Sequence, residues 1–155
     1  MSYETTLAEI KSAVGTETHL GSWLEITQEM IDAFADVTID HQWIHTDPER
    51  AAQDSPYKST VAHGFLTLSL IPHLSDSVNP DRPIYPGVKL GVNYGLNRVR
   101  FPHPVKPGDK IRARTELQSV EEVPGGVQTV SKITIELEGA EKPCCVAEIV
   151  ARFYF

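Results

Sequence analysis

Residues 63–75 limit most strongly what this chain can become. Phe65, Leu66, Leu68, Leu70, Ile71 and Leu74 fall on nearly every side of a helix drawn through them. A helix apolar all round is stable in water only when protein surrounds it. From Val88 the period changes to two. Val88, Leu90, Val92, Tyr94 and Leu96 share one strand face, and Gly87, Lys89, Gly91, Asn93 and Gly95 share the other. The apolar phase then slips to Val99 and Phe101, which predicts a bulge around residues 96–98. Ile111, Ala113, Thr115 and Leu117 alternate next, and Val123-Pro124-Gly125-Gly126 turns the chain back. Thr129 to Leu137 and Cys145 to Phe153 give two further strands. Helices gather in the first half and strands in the second, so the fold class is α+β, an antiparallel sheet wrapped around the apolar helix. Open sheet edges and a one-sided core predict self-association. The three glycines on one face of the 88–96 strand fit either close approach by a backbone or ligand, or a thin place in the packing.

The remaining elements are locally marked. Leu7, Ile10 and Val14 give a short amphipathic helix over residues 4–14, capped by Thr5 or Thr6 and ended by Gly15, as an extension of a single domain over residues 1–155. Residues 19–26 read as a strand. Thr27 caps a helix with Met30, Ile31, Phe34 and Ala35 on one stripe, fading near Thr38. Asp47-Pro48-Glu49 starts another helix, with proline at its first position. Pro72 is expected to kink or shorten the apolar helix, and Pro107-Gly108-Asp109 is a turn.

The net charge of −7 makes nucleic acid or an anionic membrane face a poor partner. No stretch approaches 18 apolar residues and the first residues lack a signal-peptide pattern, so no membrane association is expected. Cys144 and Cys145 are adjacent and point to opposite strand faces, where a disulfide would be strained. They read as small thiols of a reducing compartment, consistent with a cytoplasmic location.

The chemistry concentrates between residues 36 and 65. Asp40 and His45 lie on a short loop between helices, with Phe34, Trp43 and Ile44 to bury them. A carboxylate beside an imidazole in an apolar cleft satisfies its partner and can move protons. A loop aspartate that only caps a turn is the plain alternative. His41 and His45 stand four apart, but the chain around Pro48 breaks the helix a zincin pair needs, so no metal site is assigned. His63 reads as a packed histidine at a helix start. Ser59 and Ser69 lack a Gly-x-Ser-x-Gly setting. Gly64 opens the apolar helix, where free N–H groups and the positive dipole end would face a carbonyl oxygen and a glycine lets it come close.

These residues also form a recognisable set. Asp40-His-Gln-Trp-Ile-His45 with Ala51, Val61-Ala-His-Gly-Phe65, Tyr94-Gly-Leu-Asn-Arg-Val-Arg-Phe-Pro102 and Pro107-Gly108-Asp109 resemble the MaoC-like, (R)-specific enoyl-CoA hydratases, and most of all their nodulation-protein-N-like branch. The resemblance covers roughly residues 22–155. It implies a hot-dog fold, a homodimer, and reversible addition of water to a trans-2-enoyl thioester. The residues matching that family's pair, Asp40 and His45, would activate the water, and Gly64 would offer its N–H to the thioester oxygen. No cofactor is implied, since coenzyme A (or acyl carrier protein) belongs to the substrate. Tyr94, Asn97 and Arg98 are candidates for shaping the pocket. Arg98, Arg100, Lys106 and Lys110 are the nearest basic set for phosphates. Three departures from the pattern stand out: Ile39 in place of glycine, Gln42-Trp43 in place of Asn-Pro, and Pro72 where some relatives carry serine. They bear on substrate length and rate. A thioesterase on the same fold and a non-catalytic acyl-thioester-binding subunit are the alternatives.

Overall fold

The computed structural model describes residues 2–155. Its first helix, α1 (Tyr3–Ser12), is capped by Ser2, whose hydroxyl accepts the Thr5 N–H at 3.3 Å. The cap therefore falls before the two threonines expected to supply it. The strand expected over 19–26 is two short pieces, β1 (Glu17–Leu20) and β2 (Leu24–Glu25). Gly21 lies between them, donating to the Ala113 carbonyl at 2.8 Å. A Cβ there would lie 2.2 Å from the Leu74 carbonyl oxygen, so only glycine lets the chain pass under the end of the central helix.

Helix α2 (Gln28–Thr38) starts as its sequence dictates, with the Thr27 hydroxyl accepting the Met30 N–H at 3.2 Å. It buries Ile31 and Ala35 and half-buries Met30 and Phe34. It ends at Ile39, whose φ of 61° is left-handed and costly for a β-branched side chain. A single helical turn, α3 (Trp43–Thr46), and α4 (Pro48–Asp54) follow, the second capped by Asp47 with Pro48 in its first turn.

The apolar helix is broken in two, α5 (Gly64–Ser69) and α6 (Ile71–Leu74). Pro72 has no N–H for the Leu68 carbonyl and its ring crowds that turn, so the ladder opens at Leu70, two residues before the proline. Leu66, Thr67, Ile71 and Leu74 are buried, but Phe65 is 67% exposed. The helix is thus open on its Phe65–Ser69 face, contrary to the expected all-round enclosure.

Strands β3 (Leu90–Arg100), β4 (Lys110–Val123), β5 (Gly126–Leu137) and β6 (Cys145–Tyr154) complete an antiparallel sheet in the order β1-β4-β5-β6-β3, with β2 also on β4. The turn before β4 is fixed by the Gly108 N–H on the Ile26 carbonyl and the Asp109 carboxylate on the Lys106 N–H. Edge strand β3 carries the expected irregularity between Leu96 and Arg98 and a second one between Asn93 and Gly95. The second shifts Leu96 to the side opposite Ile149, so it does not share a face with Leu90, Val92 and Tyr94. Gly91 and Asn93 pair with Phe153 and Ala151 on the inner side, where the Gly91 Cα lies against the Phe153 ring. Leu90, Val92 and Tyr94 are 55%, 40% and 59% exposed.

The interior is in two parts. One joins Ile31, Leu66, Ile71, Leu74, Ile111, Ile135 and Ala147; the other, under α1, joins Ile10, Leu117, Val127 and Phe153. Between α5–α6, the 75–85 connection and the sheet runs a cavity of about 720 Å³ with Leu68, Ile71, Ile133 and Ile149 on its walls and Asn93, Thr129 and Ser131 among its polar lining. Cys144 and Cys145 are both buried and free, and burial pushes their thiols up to about 12 and about 11, which leaves them unreactive. Among the described residues no helix is long and apolar enough to cross a membrane.

Candidate active site

Asp40, His45 and His63 converge: one polar atom of each lies within 4.8 Å of those of the other two. Three pieces of chain bring them there. Asp40 follows the left-handed end of α2, with its N–H on the Ala35 carbonyl at 3.1 Å. His45 sits in the helical turn α3 rather than on an open loop. His63 immediately precedes α5.

The segment before α5 holds α3 by main-chain and side-chain bonds together. The Val61 N–H donates to the Ile44 carbonyl at 3.1 Å, and the Ala62 N–H to the Val105 carbonyl at 2.7 Å. The Gln28 side chain donates to the His45 carbonyl at 2.8 Å and accepts the Thr60 hydroxyl. Each of these groups lies far from its partner in sequence, so no local pattern marks them.

The His45 Nδ1 lies 2.6 Å from the Val61 carbonyl oxygen. A carbonyl only accepts, so Nδ1 carries the proton and the lone pair of the neutral ring is on Nε2. This corrects the expectation that Asp40 holds the imidazole: a backbone carbonyl orients the ring, and the carboxylate stands across from it without a direct bond. Asp40 is half exposed; its Oδ1 accepts the Gln42 N–H at 3.4 Å and its Oδ2 is 3.8 Å from the His63 Nε2. His63 is 3% exposed and its ring stacks on that of His45 with centroids 3.8 Å apart. His63 is thus packed at the helix start as its sequence position predicts, and its ring also meets both members of the pair.

Burial holds the His45 imidazole below its ordinary 6.5, opposed by the Val61 carbonyl, assisted by nearby His63 and opposed again by Asp40. A lowered value keeps the basic form present to lower pH, and the base is lost only as pH falls through it. The acid limb of kcat/KM is therefore expected to have its midpoint below pH 6.5, the ordinary value for this ring. A pH–rate profile with that midpoint at or above the ordinary histidine value would contradict the assignment of His45 as base.

Gly64 stands in the first turn of α5, where N–H groups have no intrahelical acceptor. The space beside its Cα is filled by Phe101, whose ring atoms lie 3.0 Å from where a Cβ would be. Packing against Phe101, rather than access for a ligand on that side, requires glycine here. Of the other candidates, Tyr94 lines the cavity and lies under the Arg152 guanidinium at 3.6 Å, while Asn97 and Arg98 are exposed at the β3 irregularity. None of these three belongs to the Asp40–His45–His63 cluster. His41 is exposed and lies 3.7 Å from Asp36, so it is not part of the cluster either. Two of the cluster's ring nitrogens are committed to carbonyls and a third, the His63 Nδ1, is buried, which leaves the His45 Nε2 and the Asp40 carboxylate as the groups placed to exchange protons with a substrate.

An antiparallel sheet curled around a central helix, with an acid and a histidine set near that helix's first turn, is the plan of the hot-dog hydro-lyases. Comparison with known proteins agrees. The family model described as "MaoC like domain" matches residues 9–138. The chain is 47% identical to 3-hydroxyacyl-thioester dehydratase Z of Mycobacterium tuberculosis over 149 residues, 96% of this chain and 95% of that protein. It is 40% identical to nodulation protein N of Rhizobium leguminosarum bv. viciae, over 99% and 94% of the two chains. The unliganded R-hydratase PhaJ1 of Pseudomonas aeruginosa superposes with a TM-score of 0.65 at 25% identity, over 91% of this chain and 81% of that one. The chain belongs to the MaoC-like dehydratase family, in the company of nodulation protein N, and is a hydro-lyase with the hot-dog fold.

Proposed function

We propose that the protein adds water reversibly to a trans-2-enoyl thioester, giving the (3R)-3-hydroxyacyl thioester. The observation that carries this reading is the His45 imidazole, held by its Nδ1–Val61 bond with the lone pair left on Nε2, in one cluster with the Asp40 carboxylate. One ring nitrogen of His45 lies no more than 4.8 Å from an Asp40 oxygen, so the two side chains are close enough to hold one water between them. His45 takes a proton from that water as its oxygen bonds to C3 and the C2–C3 double-bond electrons move towards the thioester. The enolate oxygen rests on the Gly64 N–H, a contact typically worth about 3–4 kcal/mol in the transition state. C2 then takes a proton from the same acid–base pair, which restores it and completes the addition; dehydration is the same path reversed.

The cavity offers room for the acyl chain. Its walls do not include Asp40, His45 or Gly64, but they begin at Leu68, about 6 Å along the helix from Gly64 at 1.5 Å per residue. The thioester sits at the helix tip and the chain runs along α5 into the gap between the two cores. Arg98, Arg100, Lys106 and Lys110 meet the phosphates of the coenzyme A or acyl-carrier group. The dehydratase named among the relatives acts on 3-hydroxyacyl thioesters by its description, which supports the same chemistry here.

Loss of the conjugated enoyl-thioester absorbance, followed over short, medium and long acyl chains, tests the reaction. Release of free thiol without formation of the hydroxyacyl product would favour the thioesterase, and tight binding without turnover on any chain length a binding subunit.

The assembly we propose is a homodimer through the outer edge of β3. That edge is unpaired, and Leu90, Val92 and Tyr94 beside it and Phe65 nearby in sequence to the site are exposed apolar side chains. Sedimentation should give twice the chain mass of 17.2 kDa, and Val92→Lys should shift it to the monomer. A wild-type monomer at micromolar concentration would exclude this assembly.

A further inference from the structure

His63 touches every part of the proposed site. Its Nε2 is 3.0 Å from the Asp40 main-chain carbonyl oxygen, so that nitrogen carries a proton and donates it. One face of its ring lies on His45, with 24° between the planes; Phe34 lies against it at 5.0 Å between centroids. The residue after it is Gly64. Its Nδ1 is buried with no hydrogen-bond partner among the described residues. A side chain needed only to fill space would be served better by an apolar ring, which leaves no buried nitrogen unpaired. The nitrogen is retained together with a ring that donates on one edge and stacks on its face.

We propose that His63 is a positioning residue that holds Asp40 and His45 in one register with the tip of α5. Asp40 needs such an anchor. It follows left-handed Ile39, its side chain is half exposed, and apart from the His63 bond its main chain is tied by its N–H to the Ala35 carbonyl. His45 is fixed at one nitrogen by Val61, and the stacked ring blocks its rotation about the remaining side-chain bond. The Nε2 of His63 is committed as a donor and its Nδ1 is buried, so His63 acts through its neighbours rather than on the substrate. A misplacement of about 1 Å in such a site can lower the rate by about 10²-fold. This inference rests on the hydration reading above.

The test compares His63→Phe, which keeps an aromatic face but removes the donor, with His63→Gln, which returns an N–H at the end of the side chain. His63→Phe is expected to lower kcat by about 10–100-fold while KM stays within about twofold of wild type, and His63→Gln to recover part of the loss. Wild-type kcat in the Phe variant, or a Gln variant no faster than it, would overturn the proposal. If His63→Phe does not fold, imidazole ¹H–¹⁵N spectra of the wild-type protein decide: Nε2–H on His63, slow to exchange, supports it and the Nδ1–H tautomer overturns it. Absence of wild-type hydration on any chain length defeats the reaction assignment, and those spectra then still decide whether His63 anchors Asp40.

Discussion

His45→Gln is expected to lower kcat/KM for enoyl-thioester hydration by about 10²–10⁴-fold, the range set by loss of a general base. That corresponds to about 3–5 kcal/mol of transition-state stabilisation. The effect should appear in kcat, because the Nε2 lone pair meets the reacting water and contributes little to holding the acyl chain. Asp40→Asn is expected to fall in the same range. Asparagine keeps an oxygen for the Gln42 N–H, so the loop is retained while the negative charge is lost. The double variant should be little slower than either single one, since the two residues act on the same proton transfers. Circular dichroism and the assembly state should be unchanged, because neither side chain belongs to the buried core. Retention of kcat/KM within tenfold of wild type by both single variants would remove the proposed acid–base pair.

The second large effect is on stability. Gly21→Ala places a methyl group 2.2 Å from the Leu74 carbonyl oxygen, and both sides of that contact are backbone. Relief requires moving either the end of α6 or the link between β1 and β2 that donates to Ala113, and such overpacking costs about 2–4 kcal/mol. For a chain of this size about 3 kcal/mol lowers Tm by roughly 6–12 °C. Gly95→Ala is the control: nothing lies within 4 Å of its added Cβ, and its Tm should stay close to wild type. Equal melting temperatures for Gly21→Ala and wild type, in thermal scans at matched concentration, would show that the helix end is not seated on Gly21.

Where the chain announced itself, it did so locally. Thr27, Asp47-Pro48, the Pro107-Gly108-Asp109 turn and the slip after Leu96 each act within a few residues, and each is found as read. So is the opening of the apolar helix, although Pro72 acts on the turn before it and the break falls at Leu70. The α+β class follows from the change of period at Val88 and needed no knowledge of pairing. The site was legible as a set of residues but not as a set of bonds. Asp40 and His45 are near one another as expected, yet the group that orients His45 is the Val61 carbonyl, a main-chain atom sixteen residues away that no residue type advertises. His63 is packed at the helix start as read, but its partners, Asp40 and His45, were not legible because they reach it only through the fold. Gly64 opens α5 as read, but the packing that calls for glycine there is against the Phe101 ring.

The gap between the two halves of the interior sets a limit on how this protein can be improved. A methyl group added at Ala151 or Ser131 would knit the halves together and make the fold harder to melt, but it would do so in the corridor assigned to the acyl tail. Thermal endurance and the longest tail accepted are thus in opposition, and selection for one should be legible as a loss in the other.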